Sequence, residues 1–267
     1  NASRGEVTIP FNDMASLDAA LAAGDIACVL SEPMLTNFNI IFPDDDFWPR
    51  AQALIREAGA LLFFDEAHTH SFAYGGLVNL WGLKPDAVTV GKGLGSGVPF
   101  AAYGMSADLA EVYEANSRPP SPIEDGSAAI TTGGTTYASA LIMAVARAAL
   151  EECLSAEQYA RVDALGIRLA EGLEAIFARR SLNWRAPLIG GRSGWVLGPE
   201  LPRNTVDSAA TMDIFFSNTR RVFMANRGIW EALDTAGPAC SFAHTEADVD
   251  RYLEVSEEFV VRTTTPA

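Results

Sequence analysis

Lysine is nearly absent from this sequence. Its 267 residues hold only Lys84 and Lys92, against seventeen arginines. Cysteine and histidine are almost as scarce, with three of each. Cys28, Cys153 and Cys240 are widely spaced and form no CxxC pair, which leaves no zinc framework and makes free, reduced thiols the expectation. Cys28 is expected in a buried strand and Cys153 on a helix. No apolar run reaches membrane-spanning length and no leader pattern stands at the start, so the expected address is the cytoplasm. Positive charge is in deficit too. A formal net charge of −15 argues against nucleic acid or an anionic membrane as partner. What remains is 49% hydrophobic and 20% charged, an ordinary globular composition. The length suits one large α/β domain plus a smaller one.

Residues 60–104 organise the chain. Ala60–Phe64, Ala87–Val90 and Phe100–Tyr103 are short apolar runs of the kind that form strands buried on both faces of a sheet. The first runs into Asp65, Glu66, Ala67 and His68, the second into Gly91, Lys92 and Gly93. Ligands of open α/β sheets gather beyond the carboxyl ends of strands, so a carboxylate pair and a lysine delivered there make a candidate site. Lys84 lies in a Leu-Lys-Pro-Asp turn and is expected in solvent. Lys92 sits among Gly91, Gly93, Gly95, Ser96 and Gly97. Desolvation there is expected to lower its pKa, as suits a lysine that forms Schiff bases, and the glycines admit a flat ligand. A P-loop does not fit, because its glycines precede the lysine and a hydroxyl follows.

Three groups of residues carry a resemblance: Asp65-Glu66-x-His68 with Ser71, Gly82 to Asp86, and Gly91-Lys92-x-Leu94-Gly95-x-Gly97-x-Pro99. The pattern resembles class III aminotransferases, pyridoxal-phosphate (PLP) enzymes of fold type I, and among them the glutamate-1-semialdehyde aminomutase and β-amino-acid aminotransferase branch. Ser31 to Asn37 and Gly133 to Tyr137 extend it over most of the chain. The resemblance implies an α/β fold: a mostly parallel large-domain sheet flanked by helices (residues 1–155) and a small α+β C-terminal domain (156–267). It implies a ping-pong transfer of an amino group from an amine or amino acid to a 2-oxo acid, through a Schiff base on Lys92. Asp65 would hold the pyridine nitrogen, Ala67 would pack on a ring face, and Asn37 or His68 would meet the 3-oxygen. Gly134 and Thr135 would reach the phosphate of a neighbouring subunit, which implies a homodimer with interfacial sites. Glu32 matches a family glutamate of open role.

Two departures stand out. The family's first phosphate cradle and its stacking aromatic would lie upstream of Asn1, so an N-terminal segment not present in this chain is expected in the working protein. No arginine occurs over 231–241, where some relatives anchor a substrate carboxylate; Arg221 and Arg227 are the nearest candidates, and an amine donor is the corollary. An aminomutase or racemase would use the same Lys92 and Asp65. From other classes come a metal-dependent hydrolase built on Asp65, His68 and His70, against which strand alternation turns Asp65 to the face opposite Glu66, His68 and His70, and a non-catalytic subunit.

Along the chain, a strand is expected over 1–10 and another over Ile26–Leu30. Helices are expected over Met14–Ala23, Phe47–Ala58, Ser106–Ala115, Thr136–Leu154 and 157–179. The run Asp44 to Asp46 reads as the acidic start of a helix. Ser117–Ser127 reads as a surface loop. Trp184–Leu197 and Ile214–Ala225 read as strands of a small sheet, and Thr245 caps a final helix.

Overall fold

The computed structural model describes residues 5–117, 133–135, 137–231 and 237–264. Helix α1 (Met14–Leu21) starts where the Asp13 carboxylate accepts from the Ser16 amide at 3.0 Å, the usual satisfaction of an orphan helix donor. Helix α2 (Phe47–Glu57) buries Phe47, Trp48, Ala51 and Ile55 on one stripe and ends before Gly59, which takes φ +72°. Strands β1 (Cys28–Ser31), β2 (Leu61–Asp65), β3 (Ala87–Gly91) and β4 (Ala101–Met105) form one sheet in the order β1-β2-β3-β4. The first three run parallel and β4 pairs antiparallel to β3. Leu62 and Phe64 of β2 point into a core with Leu17, Leu21, Trp48 and Ile55.

The short helix α3 (Gly76–Leu80) and α4 (Ala107–Asn116) complete this part, with Ser106 capping α4 through the Leu109 amide. Helix α5 (Ala140–Ala148) runs into a wider turn over Ala149–Cys153. Helix α6 (Ala156–Arg179) is the longest, capped by Ser155. Its buried residues Val162, Leu165, Leu169, Leu173 and Ile176 recur at three- and four-residue intervals, the stripe of an amphipathic helix. That stripe packs on Val249, Tyr252, Val255 and Phe259 of α9 (Glu246–Thr264), forming a second core with Trp195 and Met224. Between them lie a hairpin of β5 (Leu188–Ile189) and β6 (Arg192–Ser193), then α7 (Thr205–Ala210) and α8 (Ile214–Ala225).

Several expectations are corrected. Ile214–Ala225 is helix α8, not a strand. Asp213 caps it through the Phe216 amide, and Ser217, Arg220 and Met224 are buried at helical spacing. The apolar start of that segment masked a 3.6-residue period. Trp184–Leu197 yields the two short strands of the hairpin and isolated bridges from Arg185 to Val196 and from Arg192 to Ala239. Residues 5–10 carry no strand, and residues 1–4 lie outside the described ones. Strand β1 is an edge strand in which Leu30 is 69% exposed and Cys28 is exposed, so the expected double burial fails there. It fails equally at the opposite edge, β4, where Tyr103 is 55% exposed, and in β3, where Thr89 is exposed and Ala87, Val88 and Val90 are only half-buried. Residues 118–127 of the expected surface loop, and Thr136 at the start of an expected helix, lie outside the described residues. The acidic run meets arginines: Arg203 pairs with Asp44, and Arg50 with Asp46 at 3.1 Å.

Candidate active site

The site grows from the carboxyl ends of β2 and β3. After Asp65 the chain turns, and Glu66 plunges inward at 1% exposure. Its two oxygens accept from the amides of Leu77 and Val78, each at 2.9 Å, and from the Thr69 hydroxyl at 2.9 Å. A carboxylate held by the first amides of α3 is a rigid pin. Gly76 makes room for it: at φ +79°, a Cβ there would lie 2.7 Å from both Glu66 oxygens. The pin fixes its neighbour. Asp65 Oδ1 accepts from the Ala67 amide at 2.8 Å and the Thr89 hydroxyl at 3.1 Å, so both bonds fall on one oxygen.

Lys92 leaves β3 with φ +45°, a left-handed conformation that costs a non-glycine residue about 1–2 kcal/mol. Strain of this kind is tolerated where the surroundings impose it, and here it sets the lysine at the strand end. Gly93 beside it is packed so closely that a Cβ would sit 2.7 Å from Ser71 Oγ. Lys92 is nonetheless exposed, so the expected desolvation is not supplied by the described residues of this chain. Lys84 is exposed in its turn.

Lys92, Ala67 and His68 line a cavity of about 520 Å³ whose far wall carries Arg192, Glu231 and Tyr252. Glu231 is itself buried, accepting from Tyr252 Oη at 2.5 Å and from Arg220 at 3.1 Å. Arg192, at 4% exposure, reaches from β6 and donates through Nη2 to the Thr36 carbonyl at 2.7 Å. Burial brings its pKa down to about 10, against the pull of Glu32. Burial also raises the Glu32 carboxyl, helped by Asp65 and opposed by Lys92 and Arg192. His68 falls to about 4, first by burial and then by the charges of Lys92 and Arg192. These shifts place Glu32, Asp65, His68, Lys92 and Arg192 in one electrostatic neighbourhood.

Other candidates lie elsewhere. Asn37 is exposed and does not line the cavity; its neighbour Thr36 does the bonding, with Oγ1 2.6 Å from Glu32 Oε2 and 2.8 Å from His68 Nδ1. Gly134 and Thr135 are exposed and away from the cavity lining. Arg227 pairs with Glu258 at 2.7 Å and Arg221 stacks at 4.6 Å on Trp230, a residue of the cavity wall; neither arginine itself lines the cavity. His68 does not join Glu66 and His70: the strand ends at Asp65, and its alternation with it. His70 lines a separate hollow with Glu66 and Val78. Among the described residues no group of three or more His, Cys, Asp or Glu is placed to hold a metal ion, and no helix is long and apolar enough to cross a membrane. Arg192 and Thr36 escaped the sequence reading because 156 positions separate them. The only local signal was an arginine after two glycines.

The parallel-rich sheet flanked by helices is that of PLP fold type I, and comparison makes the family explicit. The family model for class-III aminotransferases matches residues 6–206. The chain belongs to that family. It is 31% identical over 259 residues to a glutamate-1-semialdehyde 2,1-aminomutase of Sorangium cellulosum, covering 96% of this chain and 56% of the relative. A glutamate-1-semialdehyde aminomutase from Pseudomonas aeruginosa in complex with PMP superposes with a TM-score of 0.87 at 28% identity, over 94% of this chain and 55% of that one. A β-phenylalanine aminotransferase from Variovorax paradoxus superposes with 0.82 at 27%, over 97% and 59%. The chain thus spans about half the length of the curated relatives it matches. The cofactor of the family is pyridoxal 5′-phosphate. The donor set fits it: an amine on Lys92, a carboxylate on Asp65 with both bonds on Oδ1, and glycine-opened backbone between them.

Proposed function

We propose that this chain provides the lysine and carboxylate half of an amino-transfer site, moving an amino group from an amine or amino acid to a 2-oxo acid. The observation that carries the reading is Lys92, held left-handed at the end of β3 and facing a cavity shared with Ala67 and His68. When bound, the cofactor supplies the electron sink that makes a substrate C–H acidic. Lys92 is the amine that anchors it and then carries the proton. Asp65 holds the ring nitrogen's proton by its charge, and Ala67 covers a ring face. His68 would meet the 3-oxygen, since Asn37, the other candidate, is exposed and does not line the cavity. Gly134 and Thr135, exposed and outside this cavity's lining, would serve the phosphate of a second subunit in a homodimer. Residues 1–155 are read as part of the large cofactor domain and 156–267 as the small one, a division supported by their separate cores. Arg192 in the cavity wall favours a donor that bears a carboxylate over a simple amine.

A second reading, intramolecular amino transfer, is favoured by the aminomutase names of the relatives. Lys92 and Asp65 serve both, and the two differ in whether a separate 2-oxo acid is needed for turnover. Borohydride reduction followed by intact mass and peptide mapping tests the shared core. A cofactor-sized adduct on Lys92 is expected, and Lys92→Ala is expected to lose both adduct and turnover. An adduct on Lys84, or none, overturns the reading.

A further inference from the structure

Thr36 is fully buried, at 0% exposure, and its hydroxyl touches two titratable groups. Oγ1 stands 2.6 Å from Glu32 Oε2 on one side and 2.8 Å from His68 Nδ1 on the other. A hydroxyl has one proton to donate and lone pairs to accept with. It cannot donate to both neighbours. We infer that Glu32, through the single hydroxyl proton of Thr36, sets which ring nitrogen of His68 carries hydrogen, and so whether His68 offers the cavity a donor or an acceptor.

The two states follow from proton counting. With Glu32 ionised, Thr36 donates to the carboxylate, so Nδ1 of His68 must donate to Thr36 Oγ1. The ring is then the Nδ1–H tautomer and Nε2 is a bare lone pair. With Glu32 protonated, its hydroxyl donates to Oγ1 and Thr36 donates to Nδ1. Nε2 then carries the hydrogen. Since Nδ1 is turned to Thr36 and His68 lines the cavity, Nε2 is the nitrogen left for a bound group. The ionised state suits a hydroxyl or a protonated nitrogen, and the neutral state suits an oxygen acceptor such as a phenolate.

The surroundings keep the choice between tautomers rather than charges. Lys92 and Arg192 both face His68 and disfavour the imidazolium, while Asp65 opposes them. Around Glu32 lie Asp65, which favours its neutral form, and Lys92 and Arg192, which favour the carboxylate. Arg192 also pins the relay in place through the Thr36 carbonyl. Glu32 and Thr36 are therefore positioning residues, acting through His68. The relay itself does not depend on the amino-transfer reading; only the identity of the group that meets Nε2 does.

The test is nitrogen NMR on the full chain labelled at histidine, with His68 assigned by loss of its signals in His68→Gln. At pH 7.5 the wild type is expected to show a pyrrole-type shift at Nδ1 and a pyridine-type shift at Nε2, the reverse of free histidine. Thr36→Val is expected to exchange the two shifts, and Thr36→Ser to keep the wild-type pattern. Acidification of the wild type is expected to move hydrogen to Nε2 as Glu32 titrates. An Nε2–H ring in the wild type at pH 7.5, or a pattern that Thr36→Val leaves untouched, overturns the proposal. Should Thr36→Val fail to fold, the wild-type titration decides alone. Turnover enters none of these readings, so failure here is distinguishable from failure of the amino-transfer assignment.

Discussion

Arg192 Nη2 donates to the Thr36 carbonyl oxygen across 2.7 Å, joining a hairpin beside the C-terminal core to the loop after β1. The same guanidinium lies 5.4 Å from the centre of the Phe72 ring. One side chain thus ties the two halves of the chain together in the wall of the cavity. In the proposed reading, substrate charge and relay position both meet at it.

Replacing it separates those roles. Arg192→Met is expected to raise KM for a carboxylate-bearing donor roughly 10- to 100-fold, the worth of one charge-assisted bond. The rise should be much smaller for an amine donor lacking a carboxylate. Steady-state kinetics with the two donors check this, and an equal rise for both would assign Arg192 a purely structural part.

Asp65→Asn keeps the shape of the strand end and removes its charge. Proton abstraction should slow roughly 100-fold or more, as for loss of a preorganised electrostatic partner. Cofactor should still bind, because Asn retains an oxygen for the Ala67 amide and the Thr89 hydroxyl. Single-turnover absorbance measures the step directly, and an unchanged rate would show that another group tunes the ring.

Glu66 is a matter of stability. Glu66→Ala strands two buried amides and a hydroxyl, so unfolding free energy should fall by about 3 kcal/mol. Gly76→Ala should also destabilise, since φ is +79° and the new Cβ meets the carboxylate. Urea unfolding of the two variants checks both. Wild-type midpoints would mean that water satisfies α3 instead.

His68 and Glu32 act on pH stability in opposite senses. Because His68 drops from an ordinary 6.5 to about 4 on folding, the unfolded chain binds more protons between those values. Its contribution is therefore intact above pH 6.5 and lost as pH falls towards 4. Glu32, raised above its ordinary 4.5, contributes most below that value and loses its share as pH climbs through the folded one. Unfolding midpoints followed from pH 7.5 to 4 should decline, and His68→Gln should flatten the decline. A parallel curve in that variant would place the acid sensitivity elsewhere.

The sequence by itself determined the strand-end chemistry. Asp65 and Lys92 were legible because short apolar runs stop where a charge begins, and because Lys92 is one of two lysines set among glycines. The helix over Ile214–Ala225 was misread since Ile214, Phe215 and Phe216 stand together and hide the period that Ser217, Arg220 and Met224 mark. Burial of β1 and β4 was misread because a strand cannot announce that it lies at an edge. Only the tertiary structure decided which distant groups meet in and behind the cavity wall. Thr36, His68 and Arg192 come from three separated segments, and their bonds form only after the sheet, α6 and the β5–β6 hairpin pack. Hydrogen bonds of 2.6–2.8 Å are set by that packing, which no local spacing encodes.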